Sequence, residues 1–413
     1  MSRLTRQDLI EMDASDPLAP LRGAFDLPSG VIYLDGNSLG ALPAATPARL
    51  AEVVCRQWGE DLIQSWNRHG WIQAPGRIGA KIAALIGAQA HEVIVADSTT
   101  VNLYKLAAGA MELSPGRSVI LTEAGNFPTD LHVLQGLQAG RGGSVTVKAM
   151  PREVLASAID ESVALVVLTH VHYRTAERWP MSTITNLAHA RGALTIWDLS
   201  HSAGAVAVDL NEAKADLAVG CGYKYLNGGP GAPGFAFVAE RLQARLVSPI
   251  WGWMGHAAPF EFADDFQPAS GIGRQLAGTP PVLSLAALEA GVDLFAGLDI
   301  SAVEAKAHRL ADLFVACVDA RCADLGLTLV SPRASALRGS HLAYSHPSGY
   351  AVMQALIARG VIGDFRSPDL VRFGLTPLYT RFTDVWDAVE ILRQVLTSGE
   401  YQDPRFQVRL AVT

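Results

Sequence analysis

The chain has 413 residues, 49% of them hydrophobic and 18% charged, with a formal net charge of −7. This supports a full-sized core and two domains, and the acidic balance argues against a nucleic-acid binder held by phosphate contacts. Cys55, Cys221, Cys317 and Cys322 are scattered without a CxxC pair, which reads as buried thiols in a reducing cytosol. No apolar run approaches the roughly 20 residues of a membrane helix. The first residues carry Arg3, Arg6, Asp8, Glu11 and Asp13, so a signal-peptide core is not expected and the expected location is cytoplasmic.

In chain order, the strand-like Val31-Ile-Tyr-Leu leads into Gly36-Asn-Ser-Leu-Gly40, a match to the G-x-S-x-G elbow of serine hydrolases. An elbow should enter a helix at once, yet Pro43 and Pro47 follow, so a glycine-rich turn is the better reading. From about residue 92 to 240, short apolar runs alternate with helical patterns. Glu92-Val-Ile-Val-Ala, Ser118-Val-Ile-Leu-Thr, Ala164-Leu-Val-Val-Leu, Leu194-Thr-Ile-Trp and Asp216-Leu-Ala-Val-Gly suit strands covered on both faces. That predicts a mainly parallel sheet under helices, an α/β fold.

The last third differs. Val303, Leu310, Leu313, Phe314 and Cys317 recur at helical spacing. Strand-like Leu327-Thr-Leu-Val, Ser340-His-Leu-Ala-Tyr and Leu370-Val-Arg-Phe follow, with helices around Val352–Arg359 and Asp384–Leu396. This predicts a smaller α+β domain. The division is a large domain over 61–284 and a small one over 285–413. The first 60 residues could pack on either and are assigned to the small one.

Polar residues gather just past the ends of the apolar runs, where open α/β sheets place ligands. His170 and His172 lie two apart, but no third ligand follows at a recognisable spacing, so no metal site is expected. Asp198 ends one apolar run and Lys224 ends what could be the next. Alone, each has an ordinary reading, as a helix cap and a surface turn residue. Together, with Tyr223 alongside, they meet the two needs of pyridoxal phosphate: an amine for its aldehyde and a carboxylate for its ring nitrogen. Thr99 and Thr100 precede a helical pattern that suits a phosphate at its N-terminus. Phe127-Pro128-Thr129-Asp130 offers a ring to stack on the pyridine and a carboxylate near its hydroxyl.

Thr99-Thr-Val-Asn-Leu, Phe127-Pro-Thr-Asp, Trp197-Asp-Leu-Ser-His-Ser-Ala-Gly, Tyr223-Lys-Tyr-Leu-Asn-Gly-Gly-Pro-Gly, Trp251-Gly-Trp-Met-Gly-His and Gly278-Thr-Pro-Pro resemble the kynureninase family. So do Leu34-Asp-Gly-Asn-Ser-Leu-Gly and Val371-Arg-Phe-Gly, and the likeness runs in order along nearly the whole chain. It implies a fold-type-I enzyme of the aspartate aminotransferase superfamily, a homodimer with shared active sites. The implied reaction is hydrolysis of L-kynurenine, with 3-hydroxykynurenine as an alternative substrate, in tryptophan breakdown. By resemblance Lys224 is the Schiff-base lysine and Asp198 the ring-nitrogen partner; Tyr223 is a candidate proton-relaying phenol, with a hydrogen bond to the phosphate only as the alternative. Phe127 stacks on the ring, within the cofactor-contacting Phe127–Asp130 motif, and Thr99, Thr100, Thr169, His201 and Tyr223 also match cofactor contacts. Trp253 and Thr279 match residues reaching the phosphate from the other subunit. Arg372 matches the grip on the substrate's α-carboxylate, with Arg366 its competitor, and Asn37, Trp66 and His69 fall in substrate-pocket segments. There are two departures. Ala176 stands where glycine is expected, and Gly278-Thr279 stands where members favouring 3-hydroxykynurenine carry Ser-Asn.

Overall fold

Seven strands form the larger sheet of the computed structural model, which describes residues 4–409. Arg3, and residues 410–413 of the C-terminal division, lie outside the described residues. Numbering strands along the chain, β1 is Ile32–Tyr33, β2 Val93–Val95, β3 Val119–Glu123, β4 Thr146–Met150, β5 Val163–Thr169, β6 Leu194–Asp198, β7 Leu217–Cys221 and β8 Gly234–Val238. The sheet order is β2-β8-β7-β6-β5-β3-β4. Strands β4, β3, β5, β6 and β7 run parallel, and β8 is antiparallel to both β7 and β2. Two reversals leave β2 pointing the same way as β7, so the C-terminal ends of β2, β3, β5, β6 and β7 share one edge.

The apolar runs are strands because both faces are covered. On β5, Val166 and Leu168 enter one core, while Leu165 and Val167 enter the core on the opposite face. Strand β4 escapes the sequence reading for the opposite reason. Thr146-Val-Lys-Ala-Met is an edge strand with mostly exposed side chains, and an edge tolerates the lysine that an interior strand would not.

The smaller domain has β9 (Thr328–Leu329), β10 (His341–Ser345), β11 (Val361–Ile362), β12 (Asp364–Arg366) and β13 (Leu370–Gly374). An antiparallel sheet runs β12-β13-β10-β9, and β1 pairs in parallel with β11. Side chains alternate across it. Leu342, Tyr344, Phe365, Val371 and Phe373 enter a core with the helices Ile300–Arg321, Gly349–Ala358 and Phe382–Ser398. The other face carries His341, Asp364, Arg366 and Arg372.

The cores cut across the expected divisions. Leu9 and Leu34 join the small-domain core, but Leu18, Phe25 and Ala41 join the large one, so the first 60 residues bridge both. Helix Val282–Asp293 buries Leu285, Leu288 and Val292 in the large core, which places the 284/285 boundary inside a large-domain helix. The change of core falls within Ile300–Arg321, between Val303 and Leu310. Three thiols are buried as expected, but Cys55 is exposed. Among the described residues no helix is long and apolar enough to cross a membrane.

Candidate active site

Lys224 follows β7 on a loop that closes on itself. Gly228 N donates to Gly222 O at 2.9 Å, and Asn227 N donates to Lys224 O at 2.9 Å. Asn227 adopts φ 55°, a left-handed conformation that asparagine tolerates better than most residues. The N-terminal turn packs onto this loop. Gly40 N donates to Tyr223 O at 2.7 Å, and a Cβ on Gly40 would lie 2.4 Å from Lys224 O. The second glycine of the G-x-S-x-G match is therefore there for close approach. Ser38 is no nucleophile elbow either: its hydroxyl donates to Asp364 at 2.8 Å, and the next helix begins only at Thr46.

The Lys224 side chain is buried. Its Nζ lies 3.0 Å from His201 Nε2 and 5.7 Å from the centre of the Phe127 ring. Phe127 meets Tyr173 edge-on at 5.1 Å. Asp198, the last residue of β6, accepts from Ser200 N at 2.7 Å. Asp130, in the first turn of helix Pro128–Gly140, accepts from Thr169 Oγ1 and Asn126 Nδ2, each at 3.1 Å. Its other oxygen is buried without a partner.

Burial pushes both carboxyls upward, Asp130 further because Asp198 is close, while Lys224 pulls both back. Burial would neutralise these carboxyls unless a further cationic donor answered them. A protonated pyridine nitrogen is such a donor, so the residues fit pyridoxal phosphate. Burial likewise raises the Tyr223 phenol, which keeps its proton at neutral pH. Ser98 caps helix Thr99–Glu112 by accepting from Val101 N, and Thr99 and Thr100 present that N-terminus to the same cavity of about 110 Å³.

That cavity brings together Thr99, Thr100, Phe127, Thr129, Asp130 and Thr169 with Asp198, His201, Tyr223 and Lys224. Pro128 only starts its helix. Trp253, Thr279, Trp66 and His69 do not line it within one chain. Trp253 stacks on Phe262 at an exposed site, Thr279 is exposed, Trp66 lies edge-on to Trp71, and His69 is bonded to Asp61 at 2.7 Å. Sequence reasoning missed Asn126, Tyr173 and Ser200. Asn126 had a visible signal in Gly125-Asn126-Phe127, a polar residue just past β3.

Arg372 is buried on the polar face of the small sheet. Its Nε donates to Asp364 Oδ1 at 2.7 Å, Nη2 reaches the other oxygen of Asp364 and also Ser38 Oγ at 3.2 Å, and Nη1 donates to the Tyr173 carbonyl. Arg366, about a third exposed, adds a bond to Asp364 at 2.7 Å. Burial opposes ionisation of Asp364, yet the two arginines hold it below the usual carboxylate range. Asn37 is fully buried with both amide atoms unpartnered. Its oxygen fills the place a Cβ on Gly374 would take.

The two histidines of the His170/His172 pair are occupied. His170 bonds Ser202 at 2.9 Å and Arg178 at 3.2 Å, and His172 bonds the Gly125 carbonyl at 3.1 Å. Among the described residues no cluster of three His, Cys, Asp or Glu side chains could hold a metal. A larger hollow of about 700 Å³ beside Arg178 and Trp179 has these satisfied partners and no free amine, so chemistry and not size locates the site. Ala176 takes φ +62°, a region that favours glycine, which gives a physical reason for the residue expected there.

A lysine and a buried aspartate at the C-terminal edge of a mainly parallel sheet, with a capped helix N-terminus beside them, define a fold-type-I pyridoxal-phosphate enzyme. Solved structures agree on the fold. A cysteine desulfurase from Thermococcus onnurineus NA1 superposes with a TM-score of 0.77 at 18% identity, covering 92% of this chain and 98% of that one. A variant of C-DES with glycine covalently linked to the PLP cofactor gives 0.77 at 15% identity, covering 90% and 98%. Residues 303–392 match the family model described as kynureninase C-terminal domain. Kynureninase of Pseudomonas fluorescens is 50% identical over 415 residues, 99% of this chain and all of that protein. Kynureninase of Burkholderia mallei (strain SAVP1) is 51% identical with the same coverage. The chain belongs to the kynureninase family.

Proposed function

We propose that this protein hydrolyses the Cβ–Cγ bond of L-kynurenine, giving anthranilate and L-alanine. The observation that carries the reading is the buried Lys224 amine beside Asp198 and Asp130, in a chain half identical to kynureninases over its full length. Pyridoxal phosphate supplies an aldehyde that takes the substrate's amino group and a ring that accepts electrons. Asp198 would hold the proton on its ring nitrogen, Phe127 would lie against the ring, and Thr99 and Thr100 would hold its phosphate at their helix N-terminus. The Lys224 amine would move the proton at the substrate's Cα. Arg372 and Asn37 hold the α-carboxylate, and the Tyr223 hydroxyl offers a proton near Cβ.

The fold is shared with cysteine desulfurases, which need a mobile, reactive cysteine. Cys317 and Cys322 are instead buried in the small-domain core, and burial raises both thiols, Cys322 to about 11. Trp253 and Thr279, exposed here, complete the site of a second copy in a cytoplasmic homodimer. The exposed Trp251, Trp253, Phe260 and Phe262 supply the apolar surface such an assembly would cover.

The test is direct. The purified protein should show a visible absorbance band, and borohydride should fix the cofactor to Lys224 as read by peptide mass. Kynurenine should be converted to anthranilate, with 3-hydroxykynurenine run alongside to set ring preference. Release of sulfur from cysteine without kynurenine cleavage would overturn the reading, and sedimentation of a monomer would overturn the shared site.

A further inference from the structure

His341 opens β10 opposite Gly374 of β13, so its ring leaves the small sheet on the same face as Arg372. It is fully buried, and neither ring nitrogen has a hydrogen-bond partner. Two unanswered polar atoms in a buried site are costly, and native structures seldom keep them idle. The neighbouring ring is His201 of the large domain, with centroids 5.2 Å apart and planes at 49°.

His201 has the complementary need. Its Nε2 lies 3.0 Å from Lys224 Nζ, and its Nδ1 is buried without a partner. A lysine ammonium only donates, so Nε2 must accept and the ring proton must sit on Nδ1. That N–H lacks an acceptor, beside an imidazole with one to spare.

We propose that His341 is a positioning residue that accepts the Nδ1–H of His201, fixing His201 in the tautomer that receives the hydrogen bond from Lys224. The inference rests on the reading that Lys224 captures the cofactor. Burial first, then Lys224, Arg372 and Arg366 around His201, keep both imidazoles neutral. Around His341 the cationic neighbours are Arg372 and Lys224, with Asp364 opposing them, and the His172 imidazole also faces it. A neutral His341 always has one nitrogen free to accept.

The experiment follows the capture of pyridoxal phosphate by the cofactor-free, full-length protein, as growth of visible absorbance across pH. In the parent, His201 accepts the hydrogen bond from Lys224. In His341→Leu, His201 turns to the Nε2–H tautomer, which donates to the neutral amine. The capture profile should move to lower pH by about one to two units, the scale of one charge-assisted hydrogen bond. His341→Gln keeps an acceptor and should restore the parent profile. Melting temperature checks folding, and His341→Phe takes the place of leucine if leucine does not fold. A leucine profile equal to the parent's, or leucine and glutamine displaced alike, overturns the role of His341 and leaves Lys224 in place. No capture by the parent overturns both.

Discussion

Arg372 and Asp364 face each other across β13 and β12 and form a two-point ion pair with both side chains buried. A guanidinium has five N–H donors, and Asp364, Ser38 and the Tyr173 carbonyl engage four of them. On the proposed reading a substrate carboxylate would meet Arg372 along its Nη1 edge, and a two-point grip would require the Tyr173 carbonyl to let go. Asp364 sets the plane of the guanidinium before substrate arrives.

Arg372→Lys should consequently do two things. Losing a charge-assisted bond, worth about 1.5–3 kcal/mol, should lower kcat/KM by roughly 10- to 150-fold. The melting temperature should also fall, because Asp364 loses a planar partner in a buried site. Arg366→Lys should do much less, since Arg366 reaches Asp364, Ser38 and the Phe365 carbonyl from a partly exposed position. Steady-state kinetics on both variants decide between them. If Arg366→Lys abolishes turnover while Arg372→Lys only lowers the melting temperature, the carboxylate belongs to Arg366.

Asp198→Asn keeps shape and removes charge. Turnover should drop by at least about 100-fold, the scale of deleting one positioned electrostatic group, and cofactor retention on dialysis should weaken. A near-parental rate would reduce Asp198 to the structural role that its bond to Ser200 N already shows.

His170 makes acid lability measurable. Burial first, then Arg178 and Arg152, push its imidazole down to about 3, whereas the unfolded chain takes up a proton near 6.5. Between those values the unfolded state binds a proton that the folded state does not. Stability therefore falls as pH falls through this window, by up to about 1.4 kcal/mol per pH unit. Asp35, raised to about 7 by burial and by Asp364, works in the opposite direction between about 3.8 and 7. A single substitution separates the two. Going from pH 6.5 to 4.5, His170→Gln should lose about 2–3 kcal/mol less stability than the parent, read from denaturant midpoints. Equal losses would remove His170 from the account.

Lys105 carries a quieter prediction. Fully buried, its Nζ donates to Asp97 and to the Gln275 carbonyl, each at 2.6 Å, and Asp97 is held at φ 46° immediately before Ser98. Lys105→Met keeps the stem and removes both bonds. Stability should fall by about 3 kcal/mol, the low end for breaking a buried pair because Asp97 is partly exposed. Half-saturation by pyridoxal phosphate should rise as the Ser98–Thr100 turn loosens. Thermal unfolding and a cofactor titration measure the two effects, and unchanged affinity would separate the ion pair from the site.

What could be read from the sequence follows a physical division. Strands such as Val163–Thr169 announce themselves because burial on both faces demands unbroken apolar runs, and Asp198 and Lys224 stand out because charge at the end of such a run needs a reason. The edge strand Thr146–Met150 has no such pressure. His341 was hidden by its setting in Ser340-His-Leu-Ala-Tyr, where one polar residue in an alternating strand reads as solvent-facing. Only the second domain, closing over that face, turns it inward. The bridging of both cores by the first 60 residues was hidden too, because Leu9 and Phe25 are equally apolar and neither says which core it enters.

The two-faced small sheet makes alignment of its strands a condition for chemistry. The β10–β13 ladder matches His341 to Gly374 and Ala343 to Arg372 over five pairs. Slipping β13 by one residue would send Arg372 into the aliphatic interior and turn Val371 or Phe373 toward Lys224. Misalignment would leave the hydrogen-bond count of the ladder nearly intact while erasing the carboxylate grip. A misregistered chain would thus keep its strands while losing the buried Arg372–Asp364 pair, an error largely invisible to a measurement of strand content.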